Sequence, residues 1–423
     1  MNVRRLLFVV GLLGAAPALW GQESVRTVAG RADDPGASNG PALASRFRDP
    51  AGLAVDVDGT IFIADSANHC IRRLGRDGSV VTLIGKPGEA GSADGNQTAA
   101  RLDSPAAVAV GGDGTLYIAD TGNHTIRKFA GGRLTLLAGM AGDPGPTNGI
   151  ARTARFNAPL GLVVTANNTL FVADSGNHAV RQITPDGTVS TLAGALEEWG
   201  ARDGLGDAAR FYGPVGLALT PTGLLLVSDS LNHAVRQVTP AGEVTTIAGQ
   251  LGTDGSVDGP ALTARFCQPA GLTLDRWGNL YVVDAFPHLL RKIGTNGMVS
   301  TVAGRPGEPG AADGVNGQGR FFNPYGIVVR PNGAVIVSDT YNATLREILP
   351  PFSQSLERQP TTATLRWESI IGIPYQVQVK DTLEAEWTPL TAPRTATAPN
   401  TAYTLDALAP HAASKWFRVQ RLE

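Results

Sequence analysis

The stretch VADSGNHAVRQITPDGTVSTLAG, Val172–Gly194, alternates short β-type runs with turns. Val172–Asp174 ends one run, Ser175-Gly176-Asn177 turns the chain, and Ala179–Ile183 forms the next. Pro185-Asp186-Gly187 turns it again before Val189–Ala193. Gly, Asn, Asp and Pro are the residues that reverse a backbone cheaply, and β-branched residues fill the runs between them. Upstream, Gly161–Thr165 and Thr169–Ala173 flank Asn167-Asn168, so the unit holds four short strands.

Working outward, the chain repeats this unit with a period of about 55 residues. IFIAD, LYIAD, LFVAD, LLVSD, LYVVD and VIVSD end at Asp65, Asp120, Asp174, Asp229, Asp284 and Asp339. TVAG, TLIG, LLAG, TLAG, TIAG and TVAG end at Gly30, Gly85, Gly139, Gly194, Gly249 and Gly304. Four antiparallel strands repeated six times, each sheet too thin to bury both faces alone, predict an all-β, six-bladed β-propeller. The sixth unit runs from Thr344–Ile348 straight into Pro350-Pro351 and lacks a fourth strand. Thr27–Gly30, with no blade in front of it, is expected to supply that strand and close the ring.

Residues 1–21 read as an export signal: Arg4 and Arg5, an apolar Leu6–Leu13, then small residues around Ala15, Ala16 and Ala18. The run is too short to span a membrane, and no later segment is suited to it. A secreted or periplasmic protein is expected. Losing Arg4 and Arg5 takes the formal charge from −2 to −4, and no basic stripe exists to attract nucleic acid. Cys70 and Cys267 fall in blades one and five, which are not neighbours, so no disulfide is expected between them.

The propeller is expected over 22–350, followed by a polar linker at 351–362. Alternating runs within 363–423, such as Tyr375–Val379, predict a small β-sandwich around Trp367, Tyr375, Trp387 and Trp416.

Val172–Gly194 and IADTGNHTIRK (Ile118–Lys128) resemble NHL repeats, and the resemblance runs through all six units from about Arg26 to Leu349. It implies the same six-bladed propeller. The C-terminal module loosely resembles a fibronectin type III domain. NHL-type propellers include binding modules, sensor ectodomains and a few enzymes, so the resemblance bears on fold more than on function. In the NHL-type amidating lyase, zinc is held by histidines reaching the channel. The strands following the repeated Pro here contain no His, so no catalytic or metal-ligating residue is carried over and no cofactor is expected.

His69, His124, His178, His233 and His288 each follow the strand-ending Asp by four residues. A residue present in almost every blade serves the blade, and blades at different angles hold it too far apart to share an ion. Arg72, Arg127, Arg181, Arg236, Arg291 and Arg346 recur too, as do Arg46, Arg101, Arg155, Arg210, Arg265 and Arg320. With the six aspartates they are expected to form a repeated charge-assisted network, the aspartates holding backbone N–H groups of the Asn-containing turn. Asp56-Val57-Asp58-Gly59 lacks the later acidic ligands of a calcium loop and reads as a hairpin turn.

Function is better sought where repeats break their rule. Two residues after the strand-ending Asp stand Ala67, Gly122, Gly176, Leu231, Phe286 and Tyr341. After the repeated Pro stand Ala51, Ala106, Leu160, Val215, Ala270 and Tyr325. Trp199, Leu231, Phe286, Tyr325 and Tyr341 are therefore expected to form a ligand patch on one face, for a protein, peptide or glycan. A binding or adhesion scaffold is the expected function. The alternatives are a lyase or hydrolase at the channel mouth and a structural partner in a cell-envelope assembly.

Overall fold

The computed structural model describes residues 19–20, 23–315, 317–349, 353–358, 362–369, 373–380, 386, 388–398, 400–406 and 416–422. The export signal expected at 1–21 lies outside them, apart from Leu19–Trp20, which pair antiparallel with Ser353–Gln354. The chain divides into two compact units, one essentially Ser24–Ile348 and the other mostly Leu349–Glu423.

In the first unit the strands form six antiparallel sheets. Blade three shows the pattern: Pro159–Val164, Leu170–Asp174, Ala179–Ile183 and Thr188–Ala193 follow one another as expected. A fifth, two-residue strand was not anticipated. Gly149–Ile150, from the loop entering the blade, pairs with the outer edge of Thr188–Ala193. The same device recurs at Gly40–Pro41, Gly95–Asn96, Gly204–Leu205, Gly259–Pro260 and Gly314–Val315. It occupies part of an edge that would otherwise be open to pairing with another chain.

Strand alternation sends apolar side chains to both faces of each sheet, and neighbouring blades bury them. Ala173, Val180 and Ala193 of blade three pack with Phe211, Leu217 and Val227 of blade four. At the axis the blades approach too closely for side chains. A Cβ on Gly161 would lie 1.9 Å from the Val215 carbonyl oxygen, and one on Gly216 would lie 2.2 Å from that of Ala270. The repeated glycine thus sets how tightly the inner strands converge.

The ring closes as the sequence predicts. Ser24–Gly30 lies beside Thr344–Leu349 as the fourth strand of blade six. Arg26 Nε donates to the Glu347 carboxylate at 2.6 Å across that pairing. Between blades six and one, Ser338 Oγ donates to the Ala51 carbonyl at 2.6 Å and Thr340 Oγ1 to that of Pro50 at 2.8 Å.

In the C-terminal unit, Ser353–Arg358, Thr362–Glu368 and Asn400–Asp406 form one sheet. Pro374–Lys380 pairs with Thr388–Pro389, Arg394–Thr395 and Trp416–Arg421 in a second. Leu365 and Trp367 of the first pack with Tyr375, Val377 and Val419 of the second. Ser353–Arg358 corrects one expectation: read as linker because it is polar, it is a strand paired with Thr362–Glu368. Backbone pairing, rather than an apolar pattern, holds it.

Candidate functional site

Each loop entering a blade is pinned by a buried knot. In blade three, Asp174 Oδ1 accepts the Asn157 backbone N–H at 2.7 Å. Its Oδ2 accepts from Asn177 Nδ2 at 2.8 Å and from Arg181 Nη1 at 2.6 Å. Arg181 also donates to the Arg155 and Thr147 carbonyls and to Asn148 Oδ1. Its guanidinium stacks 5.3 Å from the centre of the Phe156 ring. The ion pair recurs as Asp65–Arg72, Asp120–Arg127, Asp229–Arg236, Asp284–Arg291 and Asp339–Arg346, in every case almost wholly buried.

The network expected of the strand-ending aspartates is formed by the Arg72-to-Arg346 set. Arg46, Arg101, Arg155, Arg210 and Arg320 pair instead with the loop carboxylates of Asp34, Glu89, Asp143, Glu198 and Glu308. The expected backbone partner also needs correction. The backbone N–H held by each aspartate belongs to the incoming loop, seventeen residues upstream. The turn contributes its Asn side chain instead. That geometry ties three chain segments to one carboxylate, whereas a bond within the turn would fix only one. Burial pushes the Asp120, Asp174, Asp229 and Asp339 carboxyls up to about 6, against the pull of their arginines. Asp284 goes to about 7. Blade five has Pro287 where other blades have Asn, so this carboxylate lacks the amide donor.

The histidines join blades. Each follows the short turn in a left-handed conformation, φ 54° to 63°. His69 Nδ1 accepts the Ser104 backbone N–H of blade two at 3.0 Å. His124, His178, His233 and His288 likewise reach Ala158, Gly213, Gln268 and Asn323. Ala343 takes this position at the closing seam. Cys70 and Cys267 are both free thiols. At Asp56-Val57-Asp58-Gly59, Asp56 and Asp58 accept backbone N–H groups of their own turn.

The five proposed ligand contacts fall into three settings. Phe286 and Tyr341 are 63% and 57% exposed, on the turns of blades five and six. Aromatic contacts link them: Phe286 to His288 at 6.5 Å, His288 to Phe322 at 5.6 Å, and Phe322 to Tyr341 at 5.1 Å. Trp199, 64% exposed, stacks on Tyr212 at 4.8 Å, and Tyr212 meets His178 edge-on. Leu231, more covered, lies on the same blade as Tyr212. A Cβ added to Gly213 would meet Leu231 Cδ1 at 3.1 Å.

Tyr325 departs from the expected patch. It packs with Leu160, Val215 and Ala270 at the axis. It lines a small channel cavity of about 70 Å³ formed by the first strands. Its hydroxyl is buried without a hydrogen-bond partner, and burial pushes the phenol well above its ordinary range. Phe322 and Tyr212 were missed as patch members. Their signal was available: they follow the repeated Phe321 and Phe211, where blades one to three carry Arg48, Asp103 and Asn157.

Six radial sheets, each tied by an Asp–Arg knot, define a β-propeller assembled from one recurring unit. The sequence matches the NHL repeat at residues 47–74, 102–129, 156–183 and 211–238, and the chain belongs to the NHL-repeat β-propellers. It is 29% identical over 296 residues to human NHL repeat-containing protein 2, covering 61% of this chain and 40% of that protein. It therefore spans well under two thirds of that relative. Virginiamycin B lyase of Nocardia farcinica is 31% identical over 215 residues, covering 45% of this chain and 67% of that enzyme. A Bacteroides thetaiotaomicron auxiliary nutrient binding protein shares the fold, with a TM-score of 0.60 at 15% identity over 78% of this chain and 76% of that one. Among the described residues, no helix is long and apolar enough to cross a membrane.

Proposed function

We propose that the protein is an extracytoplasmic binding scaffold that captures a glycan or peptide on the loop face of blades four to six. The observation that carries this reading is the exposed aromatic run from Phe286 through His288 and Phe322 to Tyr341. Aromatic rings held rigid by one another offer contact area at low entropic cost, suited to stacking on a sugar ring or seating an apolar side chain. Trp199 on Tyr212 extends the same chemistry at blade four. The basic n-region and apolar run at the N-terminus support export, and the nutrient-binding neighbour lends a precedent for ligand capture on this fold.

The test is a glycan and peptide array probed with the purified protein, repeated with Phe286→Ala/Tyr341→Ala. Loss of the captured ligand with an unchanged melting temperature is expected. Retained capture, or collapse of the fold, would make these rings packing elements only.

A second reading, a lyase or hydrolase at the channel mouth, is favoured by the 31% identity to virginiamycin B lyase. Incubation with virginiamycin B, followed by chromatography and fragmentation mass spectrometry, decides it: a cleaved product supports the enzyme, and unchanged antibiotic leaves the scaffold.

A further inference from the structure

Blade two breaks the repeat at a second place, away from the aromatic run. In blades one, three, four and five, the strand residue opposite the buried arginine is Thr82, Thr191, Thr246 or Thr301. Each hydroxyl donates to the loop residue that the arginine also holds: Asn39, Asn148, Asp203 or Asp258. Thr27 does the same for Asp313 in blade six. Blade two has Leu136 at this position, paired with Arg127. Its loop residue, Asp94, keeps the bond from Arg127 Nη2 to Oδ1 at 2.6 Å but has no threonine hydroxyl to share that oxygen.

A second departure adjoins the first. Thr125 stands where other blades have Cys70, Ala179, Ala234 or Leu289, with Thr344 at the seam. Thr125 is 1% exposed and its hydroxyl has no hydrogen-bond partner. A buried hydroxyl left unpaired costs free energy unless something binds it. Both residues line a pocket of about 220 Å³, together with Ser92, Arg127, Leu136 and Arg152. Arg152 stands exposed in the loop entering blade three.

We propose that this pocket is a binding site for a neutral polyhydroxylated molecule of about monosaccharide size. The pocket holds an acceptor in Asp94, donors in Arg152 and in the unpaired Nε of Arg127, and hydroxyls in Ser92 and Thr125 that do both. Arg127 and Arg152 are offset by Asp94 and by the buried Asp120, so no net charge selects an ion. Vicinal hydroxyl groups, each donor and acceptor at once, match that set. The site shares no residue with the aromatic run and does not depend on it.

The experiment is a titration of the full chain with D-glucose, D-galactose and myo-inositol, read by saturation-transfer NMR and calorimetry. The key variants are Leu136→Thr and Thr125→Ala, which install residues that other blades already tolerate. Saturable binding of at least one probe is expected, weakened about tenfold by each substitution, as for one lost hydrogen bond. The melting temperature should not fall. Absence of saturable binding by all three probes overturns the proposal, as does binding that both variants leave intact. Displacement of the bound probe by sulfate also overturns it, since that would mark an anion site.

Discussion

Blades one to three and blades four to six share one frame and present different faces. Asp65–Arg72 and Asp229–Arg236 form the same buried ion pair at nearly the same distance. The turn two residues beyond each aspartate differs. In blades two and three it is Gly122 and Gly176, and loop residues Asp103 and Asn157 fold back over the space. A Cβ on Gly122 would lie 2.6 Å from Asp103 Cγ, and one on Gly176 would lie 2.6 Å from Asn157 Cγ. In blade six the pair becomes Phe322 and Tyr341, ring against ring. A small turn residue goes with a polar cover in blades two and three, and a large one with an aromatic neighbour in blades four and six, while Phe286 of blade five faces Cys267. The face can vary in this way because the frame beneath carries the folding.

The strongest way to break that comparison is to cut the frame in each half. Asp120→Ala and Asp229→Ala would each take the buried carboxylate from a guanidinium that keeps only a partly exposed loop carboxylate, Asp94 or Asp203. Each should cost about 3–5 kcal/mol, the range for orphaning one partner of a buried ion pair. Urea unfolding of both variants measures it. Costs that differ by more than about 1 kcal/mol, beyond ordinary context effects, would mean the halves are not built alike.

A weaker perturbation sharpens the contrast between faces. Gly176→Tyr should destabilise by about 1–3 kcal/mol, because its Cβ meets Asn157 without room to relax. Asn157→Phe/Gly176→Tyr, copying Phe322 and Tyr341, should recover part of that loss. Additive costs in the double-mutant cycle would show the two positions to be uncoupled.

The frame was legible because six repetitions expose any residue that every blade needs, and the missing fourth strand of blade six exposed the closure. What escaped has physical causes. The histidines pair with backbone N–H groups, which leave no side-chain signature in the partner loop. Two residues such as Gly149–Ile150 are too short for any period. Tyr325 was placed on the face by its position after the repeated Pro. The register shift between Pro324 and Ile327 undoes the simple alternation that would have foretold its direction. Phe322 is legible in the sequence at the position after the repeated Phe321, where blades one and three carry the polar Arg48 and Asn157.

The smallest expected effect concerns the one knot whose donor set is incomplete. Asp284 sits at about 7 where Asp120, Asp174, Asp229 and Asp339 sit at about 6, and Pro287 replaces the Asn that would donate to it. A carboxyl raised above its unfolded value of about 3.9 keeps its proton in the folded chain after the unfolded chain has lost it. Its contribution is therefore complete below about pH 4, falls as pH rises to about 7, and is constant above. Pro287→Asn should supply the missing amide and lower the Asp284 carboxyl by about one unit. At pH 5 the acid is protonated in both folded proteins, so the substitution shows only the loss of proline rigidity, about 0.4–1 kcal/mol. At pH 8 the carboxylate is ionised in both, and the variant should gain on the order of 1 kcal/mol relative to its pH 5 difference. Subtracting the two differences cancels the proline effect. A variant whose deficit is the same at both pH values would show that the missing amide does not set the titration of blade five.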